Sequence, residues 1–144
     1  MEGYLTARTI EQLWKFVQRH WNLKMVKILI VDDSAFARNS ISMMVESGGH
    51  EVVGRAGDGE QALKQFKSLH PDLVMLDYLM PGKNGEVVLK EIIQHDPSAR
   101  VIMISGSGDK TIEARALQTG AKVFVKKPCV ARDLLKVIDQ VMEI

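Results

Sequence analysis

Residues 26–38 read VKILIVDDSAFAR. The first six, Val26–Val31, hold four β-branched residues and Leu29 around a single lysine, a run too short for a helix and rich in strand formers. It breaks at Asp32-Asp33-Ser34, where polar side chains stand in the cap position of a following helical pattern. A buried strand that runs directly into two carboxylates and then a helix is the opening unit of an alternating α/β chain.

Working outward, the same unit recurs. Strands are expected at Val26–Val31, His50–Ala56, Asp72–Leu76, Arg100–Ile104 and Lys122–Lys126. Helices are expected at about Ser34–Ser47, Glu60–Leu69, Gly85–His95, Lys110–Thr119 and Ala131–Met142. Gly48-Gly49 and Gly120 stand at helix C-caps, and His70-Pro71 and Asp96-Pro97 punctuate two other helix ends. Strands of near-continuous apolar character are buried on both faces, which requires a parallel sheet covered by helices on both sides. The fold class is therefore α/β, a doubly wound five-stranded parallel sheet.

The composition agrees. A chain of 144 residues, 46% hydrophobic and 26% charged, suits one globular domain. Nineteen Lys and Arg against 18 Asp and Glu leave a net charge of +1, too balanced for a protein that binds by neutralising phosphates, so direct DNA binding is not expected. The single cysteine, Cys129, excludes an internal disulfide and fits a reducing compartment; with no spanning or signal segment in the pattern, the expected location is cytoplasmic.

In doubly wound sheets, ligands bind outside the carboxyl ends of the strands. Those ends carry Asp32-Asp33, Asp77, Ser105 and Lys126-Lys127-Pro128, whereas Gly57-Asp58-Gly59 after the second strand reads as a plain turn. Three clustered carboxylates repel one another unless a cation compensates, and an all-oxygen ligand set selects a hard ion such as Mg²⁺. A carboxylate is also a nucleophile toward phosphorus, and Mg²⁺, a lysine ammonium and a hydroxyl are the donors that phosphoryl transfer asks for.

With these residues in view, the sequence resembles the receiver domain of two-component response regulators, especially the single-domain, chemotaxis-type ones. The resemblance rests on VKILIVDDSAFAR, PDLVMLDYLMPGKNG, VIMISG and AKVFVKKP, in that order, and covers roughly Met25 to Ile144. It implies a flavodoxin-like strand order 2-1-3-4-5, with Asp77 as the phosphoacceptor. It further implies Mg²⁺ bound by Asp33, by Asp32 through water, by Asp77 and by the backbone carbonyl of Leu79. Ser105 then hydrogen-bonds the phosphoryl group, Lys127 pairs with it, and the bond to Pro128 is cis. Phe124 matches the aromatic that turns inward when Ser105 moves, although it lacks the hydroxyl that would fix its outward state.

By the same resemblance the phosphoryl donor is a sensor histidine kinase or a phosphotransfer protein. The output is a downstream target protein that reads the face formed by the fourth and fifth helices and the fifth strand of the receiver, including Arg115, Lys122, Phe124, Lys126 and Arg132. Slow self-dephosphorylation is expected, because Leu79 and Ser107 stand where an attacking water would have to be held. That favours either a phosphorelay shuttle or a chemotaxis switch served by a separate phosphatase. The chain is not expected to be a turnover enzyme.

The competing reading is a small Mg²⁺-dependent phosphohydrolase of the haloacid-dehalogenase kind. That family wants an aspartate two residues after the first, and here the run is Asp32-Asp33-Ser34-Ala35-Phe36. A flavin binder fits less well, because a flavin phosphate wants a loop of backbone donors where this chain has carboxylates. His20, His50, His70 and His95 form no ligand pattern and are expected in solvated or capping positions; Cys129 has no catalytic partner; Met43 and Met44 read as core and flank.

Residues 1–24 form an N-terminal extension to a receiver domain at 25–144. Thr9-Ile10-Glu11-Gln12 resembles a capping box, and Ile10, Leu13, Trp14, Val17 and Trp21 share one helical face. An amphipathic helix is expected there, burying its tryptophans against the domain or, in a homodimer through residues 9–22, against a second copy, with contact to an anionic membrane surface ranked behind both.

Overall fold

The structure, a computed structural model, describes the backbone of residues 7–21 and 25–143, with side chains described at 8–17 and 25–143. In chain order the elements are α1 (Ala7–Trp21), β1 (Lys27–Val31), α2 (Ala35–Ser47), β2 (Glu51–Ala56), α3 (Gly59–Leu69), β3 (Leu73–Asp77), α4 (Gly85–His95), β4 (Val101–Ser105), α5 (Lys110–Thr119), β5 (Val123–Lys126) and α6 (Ala131–Met142). The five strands form one parallel sheet in the order β2-β1-β3-β4-β5.

Alternation along the central strands builds two apolar layers. Leu29, Val31, Val74, Leu76, Val101 and Met103 face one side, where α3, α4 and α5 supply Phe66, Leu89, Ile92 and Ala116. Ile28, Ile30, Leu73, Met75, Ile102 and Ile104 face the other, where α2 and α6 supply Ile41, Val45, Leu134 and Ile138. Every residue of β3 and β4 is buried, whereas the edge strands β2 and β5 are only partly covered.

The helix starts follow local chemistry. Ser34, Asp58, Asn84 and Asp109 each accept a hydrogen bond from a backbone N–H in the first turn of the helix they precede. Gly57-Asp58-Gly59, expected as a plain turn, is therefore also the start of α3. The expected strands β3 and β4 slide forward by one residue, so that Asp77 and Ser105 are the last residues of their strands. The ladder continues that far: Asp77 pairs with Ile104, Ser105 pairs with Lys126, and the Tyr78 N–H donates to the Ile104 carbonyl at 3.0 Å.

Three smaller expectations are corrected. His50 is buried, and its Nδ1 accepts from the Val26 N–H at 3.1 Å. Met43 is exposed, and Met44 alone packs against the core. Helix α1 is already formed at Ala7, so Thr9 lies within it and not ahead of it.

Candidate functional site

At the carboxyl edge of the sheet, β1 delivers Asp32 and Asp33 and β3 delivers Asp77. Carboxylate oxygens of all three lie within 4.8 Å of one another, with Asp32 and Asp77 buried and Asp33 exposed. Lys127 follows β5 and places its Nζ 2.7 Å from Asp32 Oδ2 and 3.4 Å from Asp77 Oδ1. The Lys127–Pro128 peptide bond is cis.

Asp32 is the anchored member of the cluster. Its Oδ1 accepts from the Ser34 N–H at 2.9 Å, its Oδ2 takes the lysine, and its backbone carbonyl accepts from Arg38 Nη1 at 2.5 Å. Asp77 is less compensated: burial, then the negative charge of Asp32, push its carboxyl up to about 6 despite Lys127. Burial also works against the charge of Lys127, but its hydrogen bond to Asp32 and the nearby Asp77 carboxylate outweigh it, and its pKa is raised. The donor set is all oxygen, two members are buried, and the Lys127 ammonium contacts only those two of the three acids. That is the setting in which a hard divalent ion binds.

Ser105 is fully buried at the end of β4. Its Oγ accepts from the Ser107 N–H at 3.1 Å, and its carbonyl accepts from the Lys127 N–H at 2.8 Å, which ties the hydroxyl and the lysine to one rim. Ser107 turns its own Oγ to the Asp109 N–H at 3.2 Å. Leu79, just past the end of β3, is 61% exposed. Phe124 is half-buried against the α3–α4–α5 layer. Burial pushes the Cys129 thiol up, away from a reactive thiolate.

Two features of the neighbourhood escaped the sequence reading. Tyr78, next to Asp77, donates its hydroxyl to Glu86 Oε2 of α4 at 3.1 Å, and Arg115 of α5 donates to both the Tyr78 oxygen and Glu86 at 3.2 Å. The only sequence signal was a tyrosine directly after Asp77. Its partners lie eight and 37 residues away in the chain. Gly85 is a second such residue: a Cβ there would stand 2.3 Å from the Asp77 carbonyl oxygen and 2.7 Å from Tyr78 Cα. The start of α4 therefore presses directly on the backbone of the site.

A doubly wound sheet with this acid cluster and lysine at its carboxyl edge defines a phosphorylation-type signalling module, and the family comparison agrees. The response regulator receiver domain model matches residues 28–139, and the chain belongs to that family. It is a signalling domain, a receiver of the two-component type similar to chemotaxis proteins. The chemotaxis protein CheY of Bacillus subtilis is 43% identical over 116 residues, covering 81% of this chain and 97% of that protein. Among solved structures, the CheX–CheY–BeF3–Mg²⁺ complex of Borrelia burgdorferi matches with a TM-score of 0.80 at 34% identity, covering 84% of this chain and 92% of that one. The response regulator domain of Thermotoga maritima CheB matches at 0.78 and 35% identity, covering 84% and 98%. Nothing in these relationships supports the phosphohydrolase reading.

Proposed function

We propose that Asp77 is the phosphoacceptor of a two-component switch. A sensor histidine kinase or phosphotransfer protein presents a phosphohistidine; the P–N bond breaks, an O–P bond forms to the Asp77 carboxylate, and the departing imidazole takes up a proton. Asp33, Asp77 and the Leu79 backbone carbonyl would hold Mg²⁺ directly, and Asp32 through water. When bound, Mg²⁺ supplies charge neutralisation for the carboxylates and for the phosphoryl oxygens.

The observation that carries this reading is the single ammonium of Lys127 shared between two buried carboxylates, Asp32 and Asp77. With a phosphoryl group on Asp77, Lys127 moves its contact from the Asp77 carboxylate to a phosphoryl oxygen, and Ser105 donates its hydroxyl to another. The movement of Ser105 leaves room on β4 for Phe124 to turn inward. The face built by α5, β5 and α6, with Arg115, Lys122, Lys126 and Arg132, then binds a target protein differently. An apolar groove lined by Phe36, Ile41, Met44, Pro128 and Cys129 lies beside Lys127 and suits the docking of a donor protein. The Borrelia relative in complex with CheX, BeF3 and Mg²⁺ supports both the ion and a protein partner. No described helix is long and apolar enough to cross a membrane, and the reading places the switch in the cytosol.

The test is labelling by acetyl phosphate or a phosphorylated kinase. Wild type takes up label that depends on Mg²⁺ and is lost with a chelator, whereas Asp77→Asn takes up none while keeping its circular dichroism spectrum. Undiminished labelling of that variant overturns the assignment.

A further inference from the structure

None of the described side chains of helix α1 belongs to either core layer. Its apolar side is open: Ile10, Leu13 and Trp14 are 53%, 53% and 56% exposed. At about 100° per residue, Ile10, Trp14 and Val17 fall within an arc of about 60°, with Leu13 at its margin and Arg8 and Lys15 nearly opposite. Glu11 and Lys15 pair along the polar side at 3.0 Å.

Charge is distributed unevenly along the chain. Residues 1–24 carry four basic and two acidic side chains, whereas residues 25–144 carry fifteen basic and sixteen acidic. The excess positive charge of the molecule thus travels with the exposed apolar helix.

The size of the face selects among occupants. Fifteen residues make a helix about 22 Å long and about 10 Å across, so one side offers a few hundred Å², well under the roughly 800 Å² per partner of a stable dimer. The helix is also shorter than the roughly 20 apolar residues needed to span a bilayer. An interfacial helix needs neither. It immerses one face at the headgroup boundary, keeps cations on the polar side, and uses tryptophan as an amphipathic anchor.

We propose that α1 lays its Ile10–Leu13–Trp14 face onto an anionic lipid bilayer and holds the receiver reversibly at the membrane surface. One short helix gives weak partitioning, and the attraction between its cations and anionic headgroups supplies the lipid selectivity. This inference does not depend on the phosphoacceptor assignment.

The experiment uses the full chain with vesicles of pure phosphatidylcholine or of equal phosphatidylcholine and phosphatidylglycerol. Both tryptophans of the protein lie in residues 1–24, so their fluorescence reports on this segment alone. Co-sedimentation with the anionic vesicles should exceed that with neutral ones by about tenfold, with a blue shift of emission, and should weaken as salt is raised to about 0.5 M. Leu13→Glu should lose the binding while still being labelled by acetyl phosphate at the wild-type rate. Equal binding to both vesicles, or no binding to either, overturns the proposal. A lipid-free blue shift that tracks a concentration-dependent dimer in sedimentation equilibrium overturns it in favour of a second copy.

Discussion

Replacing Asp77 with asparagine should make the metal-free protein more stable, although it removes the residue on which the proposed function depends. The Asp77 carboxyl is pushed from 3.8 up to about 6, by burial first and by Asp32 next. At about 1.36 kcal/mol per tenfold change in proton affinity, the ionised form costs the folded state about 3 kcal/mol. Asparagine is nearly isosteric and still offers Lys127 a carbonyl oxygen, while the lysine keeps its 2.7 Å contact to Asp32. The expected gain for a chain of this size is roughly 6–12 °C in melting temperature, measured in chelator at pH 7.5.

The sign with pH follows from the direction of the shift. A folded-state pKa above the unfolded one means that the penalty is complete above about 6 and fades as pH falls from there toward 3.8. The advantage of Asp77→Asn should therefore shrink between pH 7 and pH 5. Saturating Mg²⁺ should raise the melting temperature of wild type more than that of the variant, because a ligand that binds only the folded state stabilises it by mass action. A variant no more stable than wild type in chelator, with a difference that is flat across pH, refutes the reasoning.

Self-dephosphorylation should be slow, since Leu79 offers a water nothing to bond and Ser107 already gives its Oγ to the Asp109 N–H. Restoring one positioning hydrogen bond with Leu79→Asn or Ser107→Glu should speed the loss of label about ten- to hundredfold, and a wild-type decay within seconds that neither change accelerates would contradict this. Gly85→Ala forces a Cβ onto the backbone of Asp77 and Tyr78 and should cost about 1–3 kcal/mol in urea unfolding, with a drop in labelling rate; wild-type stability would show that α4 does not press on the site. Burial holds the His50 pKa below its ordinary value, so the unfolded chain takes up a proton that the folded one refuses, and stability falls as pH drops below about 6.5. Measured in the Asp77→Asn background, where the opposing carboxyl effect is gone, His50→Asn should flatten that slope between pH 7 and pH 5.

The alternating sheet and its rim were legible in the sequence because both are written locally. Short β-branched or aliphatic runs such as VKILIV and LVML, bounded by turn residues, are too short for helices, and in a parallel α/β sheet the residue after each run arrives at the same edge. Asp32, Asp33, Asp77, Ser105 and Lys127 could therefore be gathered without any knowledge of distance.

Only the tertiary structure decided the rest, and in each case the cause is a contact between segments remote in the chain. His50 was expected in a solvated or capping position, yet the return of the chain beside β1 places its ring against the Val26 N–H, where a buried donor needs an acceptor. Tyr78 carried no motif that pointed to Glu86 and Arg115, because that network exists only when α4 and α5 pack side by side. The opposite happened at α1. Its pattern specified an amphipathic helix, and the helix forms, but periodicity says only which face is apolar. What covers that face depends on surfaces elsewhere, and in the folded chain Trp14 stays open to its surroundings.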